Sequence, residues 1–236
     1  MLLIAVPALA QEVERGPVGH YRFDEGEGMT IADQTDHGRD ATILNDGRGV
    51  EWVDGRSGKA LQFDGGDSDQ RNVAGAAAIA GLGDIDWSKG MTVELWLHLN
   101  QFDRPKSYEI VSNTISDRGP GWRLMFSWLA LRFASGEGGA GETWGANSTP
   151  ADTRVEAGQW YHLAATYDGS QYRIYLDGAL VAESEADLAM TGGDDTVYIG
   201  AYRGGYAYGL NGIIDDLKLY DYARTPEQIV RDAKLQ

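Results

Sequence analysis

The sequence predicts an all-β fold, an antiparallel sandwich or barrel, and three observations carry that prediction. Short runs rich in β-branched and aromatic residues recur along the chain, separated by clusters of Gly, Asp and Asn. Helical periodicity is missing from nearly the whole sequence. The segment WYHLAATYDGSQYRIYLDGALVAES, from Trp160 to Ser184, holds three such runs broken by Asp168-Gly169 and Asp177-Gly178. Asp-Gly pairs readily adopt the positive φ of tight hairpin turns, so this segment reads as a three-stranded meander.

The remaining elements follow in order. Strands are predicted at VGHYRF, ATIL, ALQF, TVELWLHL, YEIVSN, WRLMFS, LALRFA, TVYIG and the opening of GIIDDLKLY. TVELWLHL alternates cleanly, with Val93, Leu95 and Leu97 on one side and Glu94, Trp96 and His98 on the other. Trp96 and Trp160, inside strong strands, are assigned to packing. AGAAAIAGLG, Ala74 to Gly83, is expected to hold one helical turn, and ASGEGGAGETWGANSTPADT is a long glycine-rich loop. One helix is predicted, at the end: Thr225 caps it, Pro226 suits its first position, and Gln228 completes a T-x-x-Q capping box before Ile229 and Val230.

A puzzle sits in the last strand, where Asp215 and Asp216 adjoin within NGIIDDLKLY. Strict alternation puts Ile213, Asp215, Leu217 and Leu219 on one face and Ile214, Asp216, Lys218 and Tyr220 on the other. Asp215 then faces inward among aliphatic residues and Asp216 outward. A buried carboxylate needs a cation, hydrogen bonds or a proton.

Composition narrows the function. At 236 residues, with 42% hydrophobic residues and no cysteine, the chain can form one large domain held by burial, without disulfides or thiol chemistry. A formal charge of -16 argues against nucleic acid and anionic membranes, both polyanions. The opening MLLIAVPALAQ, ending in Ala8-Leu9-Ala10, reads as a truncated secretory signal over residues 1–10, lacking its basic n-region. A single domain then occupies residues 11–236, beginning near Gln11, with a secreted or periplasmic location expected.

Motifs for catalysis are weak. GEGGAG, residues 136–141, matches a dinucleotide fingerprint in letters but has no βαβ context and carries Glu137 with Glu142 close behind. The histidines at 20, 37, 98 and 162 lack compact zinc spacing. No G-x-S-x-G is present. The acids of ESEAD, Glu183 to Asp187, read as solvated edge residues rather than a glycosidase pair. DGGDSDQRN, Asp64 to Asn72, reads equally as a calcium loop or an Asp-rich turn. Seven tryptophans and twelve tyrosines offer sugar platforms, since aromatic rings stack on the apolar faces of pyranoses. Trp144 in the glycine-rich loop and Tyr202, Tyr206 and Tyr208 in AYRGGYAYG are the surface candidates, with Arg203 available to an anionic sugar.

GHYRFDEGEGMTIADQTDHGRDATIL, GKALQFDGGDS, MTVELWLHL, GQWYHLAATYDGSQYRIYLDGALVAE and LNGIIDDLKLYDYARTPEQI occur in an order that resembles laminin G-like, concanavalin A-like jelly-roll domains of bacterial secreted proteins, over roughly residues 18–232. The resemblance implies two antiparallel sheets packed face to face, frequent glycan binding and a structural calcium tying the first strand to the last. The positions that match its calcium ligands are Asp24, Asp33, His37 and Asp215; His37 departs from the family pattern, where Gly then Asn usually stand in place of Asp36 and His37. The expected function is a secreted, non-catalytic carbohydrate-binding or adhesion module whose partner is a glycan, an envelope polysaccharide or a protein. The alternatives are a polysaccharide lyase or glycoside hydrolase on the same fold, and a structural protein-binding module of the cell envelope.

Overall fold

The computed structural model describes residues 14–66, 74–101, 107–114, 120–128, 130–136, 155–186, 190 and 192–235. Fifteen strands and one helix follow one another among them: β1 Gly19–Tyr21, β2 Thr30–Ile31, β3 Ala41–Ile43, β4 Val50–Asp54, β5 Lys59–Asp64, β6 Ala77–Ile79, β7 Met91–Leu99, β8 Ser107–Ser112, β9 Gly121–Ser127, β10 Ala130–Gly136, β11 Trp160–Tyr167, β12 Gln171–Leu176, β13 Ala179–Glu185, β14 Val197–Ile199, β15 Asn211–Tyr220 and α1 Pro226–Asp232.

They form the two-sheet jelly-roll sandwich expected from the sequence. The first sheet runs β13-β12-β11-β7-β15-β5-β4, with β1 also paired to β15; the second runs β10-β9-β8-β14-β6-β3-β2. All pairings are antiparallel. Inner faces of both sheets supply one continuous core, which takes Val93, Leu95 and Leu97 from β7, Leu163 and Ala165 from β11, and Trp122, Leu124 and Phe126 from β9. The alternation of TVELWLHL therefore has its apolar side inward as predicted. Asp177 and Gly178, at φ 50° and 79°, make the two-residue turn that joins β12 to β13 in the meander.

The helix begins as predicted. The Thr225 hydroxyl accepts from the Gln228 N–H while the Gln228 side chain accepts from the Thr225 N–H. Ile229 buries against Ala164 and Tyr175, which seats α1 on the outer face of the first sheet.

Three expectations need correction. Ala74–Gly83 holds no helical turn, because Ala77–Ile79 pairs with both β3 and β14 as a central strand of the second sheet; small side chains fit there through tertiary pairing that local propensity does not report. Trp96 and Trp160 lie outside the sandwich core, on the outer face of the first sheet, since their neighbours Leu95, Leu97 and Tyr161 point inward. The alternation of β15 is broken by a bulge across Asp215–Asp216, where Asp215 pairs with Trp96 but the next partner pair is Lys218 with Glu94. Asp216 takes φ 48° there. Ile214, Leu217 and Leu219 still face the core, so the extra residue leaves both aspartates on the outer face.

Candidate functional site

Two outward-facing places on the sandwich concentrate polar and aromatic side chains. The first lies on the second sheet. Glu109 of β8 and Arg123 of β9 face away from the core, and each stands alone among apolar strand residues. Arg123 Nε donates to both carboxylate oxygens of Glu109 at 3.1 and 3.2 Å, and its Nη2 donates to Oε2 at 2.7 Å. Both groups are buried, and such fork-to-fork pairing gives a desolvated pair its best chance of compensation. The loop after β14 closes over them: the Glu109 N–H donates to the Tyr208 carbonyl at 2.7 Å, and Tyr202 bridges to Ala207. The Arg123 guanidinium then lies 4.8 Å from the Tyr202 ring centre and 5.6 Å from that of Tyr208. Tyr206 and Tyr208 pack on Tyr202 with ring centres 6.3 and 5.8 Å away.

Three of the predicted aromatic residues thus converge, with Tyr202 buried beneath Tyr206 and Tyr208, which keep part of their surface. Arg203 is exposed, at φ 47° in the turn between Tyr202 and Tyr206. Trp144 lies outside the described residues, as do the 1–10 segment, most of GEGGAG and the later part of DGGDSDQRN. The charges of Glu109 and Arg123 cancel within the pair, so the ring-walled floor of the patch carries no net charge and Arg203 is the exposed cation at its edge. The sequence missed this pair. Its signal was one acid in YEIVSN and one base in WRLMFS, complementary charges in two strands otherwise fit for burial.

The second place is a cavity of about 180 Å³ on the outer face of the first sheet, beside α1. Its origin is the pairing of β15. One edge pairs with β7 throughout; on the other, β5 pairs with residues 211–214 and β1 with 217–219, so the bulge falls where the neighbour changes. Side chains and a turn fill that gap. His20 and Lys218 bind Asp216 at 2.6 and 2.8 Å, and the Ser57 N–H donates to Asp215 at 3.1 Å. A Cβ on Gly55 would meet Asp215 Oδ2 at 2.6 Å, so a glycine is needed where the 54–59 turn passes the carboxylate.

The two aspartates differ in acidity. Burial pushes the Asp215 carboxyl up to about 6, a rise that the Ser57 and Arg56 N–H groups only partly oppose and the neighbouring Asp216 charge reinforces. Asp216 is also penalised by burial, but His20 and Lys218 outweigh the penalty and hold it at about 2. On the cavity floor Glu94 is shared between His162 Nε2 at 3.0 Å and Arg224 Nη1 at 2.5 Å, and Arg224 reaches Asp232 of α1 at 2.6 Å. This buried network clamps the helix to β7.

The four predicted calcium ligands are not gathered together. Asp33 receives the N–H groups of His20, Thr35 and Arg39 and the Thr35 hydroxyl, which organise the loop between β2 and β3. His37 is exposed and borders a different depression, with Arg39 and Asp84. Asp24 accepts from the Lys59 N–H at 3.0 Å and pairs with Arg22. Among the described residues no three His, Asp or Glu side chains approach closely enough to hold a metal. Asp24 and Asp215 alone end on the same turn, residues 54–59, where each is already met by backbone N–H groups, so the set does not fit a single calcium shell.

Glu183 and Glu185 are exposed on edge strand β13, as expected of solvated acids. No helix among the described residues is long and apolar enough to cross a membrane.

Residues 71–230 match a laminin G-type family model described as the concanavalin A-like lectin/glucanases superfamily. The chain belongs to that superfamily. Domain 4 of AbnA, an extracellular GH43 arabinanase from Geobacillus stearothermophilus solved with arabinotriose, superposes with a TM-score of 0.71 at 22% identity, over 93% of this chain and 98% of that one. The binding domain of botulinum neurotoxin serotype G gives 0.69 at 12% identity, over 92% of this chain and 50% of that one, so the present chain spans half of that toxin domain. In sequence, 80 residues are 35% identical to pappalysin-1 of Mus musculus, covering 32% of this chain and 5% of that protein. These structural likenesses show the shared jelly-roll architecture.

Proposed function

We propose that the protein is a secreted, non-catalytic carbohydrate-binding module that holds a neutral glycan on the tyrosine patch of its second sheet. The observation that carries this reading is the gathering of Tyr202, Tyr206 and Tyr208 around an arginine whose charge is already answered by Glu109. Such a patch offers ring faces to the apolar side of a sugar, and its floor carries no net charge; exposed Arg203 at the edge can donate to sugar hydroxyls. A net charge of -16 over the chain also disfavours polyanionic glycans such as uronates. Glu109 has both oxygens engaged by Arg123, which supports binding rather than acid–base work at this face. The arabinotriose held by the arabinanase domain makes arabino-oligosaccharides the first ligands to try. A structural calcium remains a proposal confined to Asp24 and Asp215.

The test is affinity electrophoresis against neutral and uronate-rich polysaccharides, with reducing-end release followed in parallel. Retardation by a neutral polysaccharide, insensitive to salt and without released ends, is the expected outcome. Retardation by acidic chains alone, or product release, would replace the reading with an anionic-glycan binder or an enzyme.

A further inference from the structure

The corrected positions of Trp96 and Trp160 open a second surface. On the outer face of the first sheet, the register sets Trp160 of β11 opposite His98 of β7, His98 opposite Ile213 of β15, and Ile213 opposite Gln62 of β5. All four are partly exposed. They form a straight row across four strands, three spacings of about 4.8 Å or about 14 Å end to end. Trp160 and His98 touch with ring centres 5.4 Å apart. Asn100 Nδ2 donates to Gln62 Oε1 at 3.2 Å and borders the far end.

Along one side of this row lies the cavity of about 180 Å³. The next rung toward it pairs His162 with Trp96 and Trp96 with Asp215. Arg56 stacks over the Trp96 ring at 4.8 Å and lines the cavity with it. His162 is buried, and its Nδ1 has no hydrogen-bond partner among the described residues. An unpaired polar atom in a buried wall is costly unless something supplies a partner.

We propose that this row and its adjoining cavity form a second glycan-binding face, on the opposite side of the sandwich from the tyrosine patch, which would make the protein a two-sided cross-linker of neutral polysaccharide chains. The side chains set the ligand class. The row contains one flat indole, an imidazole, an aliphatic chain and an amide, with no carboxylate or ammonium group, so it matches a linear ligand with one apolar face and hydroxyl edges. A protein partner would call for a contiguous apolar centre, and here the groups alternate between ring, imidazole and amide. Within the cavity Lys218 is matched by Asp216, Arg22 by Asp24 and Asp232 by Arg224, and Arg56, stacked on Trp96, remains to donate to sugar hydroxyls.

The claim uses the neutral-glycan class of the tyrosine patch but not that patch itself, and the two can fail separately. Calorimetry with arabino-, xylo- and manno-oligosaccharides, combined with light scattering on the parent soluble polysaccharides, is run on wild type, Tyr206→Ala, Trp160→Ala and Gln62→Ala. The expected result is two sites per chain and growing scattering for wild type. Each of Tyr206→Ala and Trp160→Ala should bind at one site and give no scattering growth, and Gln62→Ala should weaken one site about tenfold, or about 1.4 kcal/mol. Gln62→Ala covers the case in which Trp160→Ala does not fold. One site in wild type, removed by Tyr206→Ala and untouched by Trp160→Ala and Gln62→Ala, would overturn the second face. Loss of all binding in Trp160→Ala, with Tyr206→Ala binding as wild type does, would uphold glycan binding on this face but overturn both the tyrosine patch and the cross-linking.

Discussion

Replacing Asp215 by asparagine should change stability in a pH-dependent way. In the folded state the carboxyl is buried beside Asp216 and titrates near 6, against a reference of 3.8. That interval corresponds to about 3 kcal/mol at 1.36 kcal/mol per tenfold change. Because the folded value is raised, the folded protein holds this proton more tightly than the unfolded chain does. The associated stability is fully present below pH 3.8 and is lost as pH rises through about 6. Asparagine keeps an oxygen for the Ser57 N–H and never ionises, so the variant escapes the loss. Melting is followed by tryptophan fluorescence from pH 4 to pH 8 in chelator. Relative to wild type, Asp215→Asn should gain about 5 °C between the two ends, since about 2.4 kcal/mol of the interval falls between pH 4 and pH 8 and 1 kcal/mol moves a chain of this size by about 2 °C. Asp216, whose folded value near 2 lies below its reference of 3.8, contributes stability that is lost only as pH falls through about 2, below the scanned range. An identical offset at every pH would refute the reasoning. A wild-type melt that rises in millimolar calcium at pH 8 and loses its pH slope would instead support the proposed cation on Asp24 and Asp215.

Further outcomes follow from the packing. Arg123→Met should cost about 3 to 5 kcal/mol in urea unfolding, because it strands the buried Glu109 carboxylate. The double variant with Glu109→Leu should recover much of the loss. Trp122→Ala, in the core, should cost about 3 to 5 kcal/mol, while Trp160→Ala, outside it, should cost far less; equal losses would return Trp160 to the core. Thr225→Ala removes one half of the capping box and should cost about 1 kcal/mol, read as earlier loss of the α1 contact with Ala164 and Tyr175 by amide exchange.

Strand periodicity and turn chemistry made most of the fold legible. TVELWLHL announced its two faces, Asp177-Gly178 its turn, and Thr225-Pro226 its helix start, because each depends on local geometry. Ala77–Ile79 is hidden in the sequence because two alanines and one isoleucine become a strand only when β3 and β14 flank them. Alternation turns Asp215 inward because it cannot count the residue that the bulge adds, while Asp216 faces outward as alternation has it. Trp96 and Trp160 look like core residues by hydrophobicity, whereas parity with Glu94 and His98 puts Trp96 on the polar side of β7. The tyrosine patch was half visible. Its aromatics cluster in sequence, but Glu109 and Arg123 come from two other strands and meet only through pairing of β8 with β9.

The most direct test of the glycan claim is the dissociation constant of wild type and of Tyr206→Ala, Tyr208→Ala for a neutral oligosaccharide, arabinotriose first, in low and high salt. The account predicts wild-type binding that salt leaves unchanged, because the Arg123 charge is cancelled inside the protein. In the double variant, affinity at the site on the second sheet should fall at least about tenfold, with an unchanged melting temperature. Wild-type affinity retained at every site in the double variant, or affinity that collapses in high salt, would contradict it.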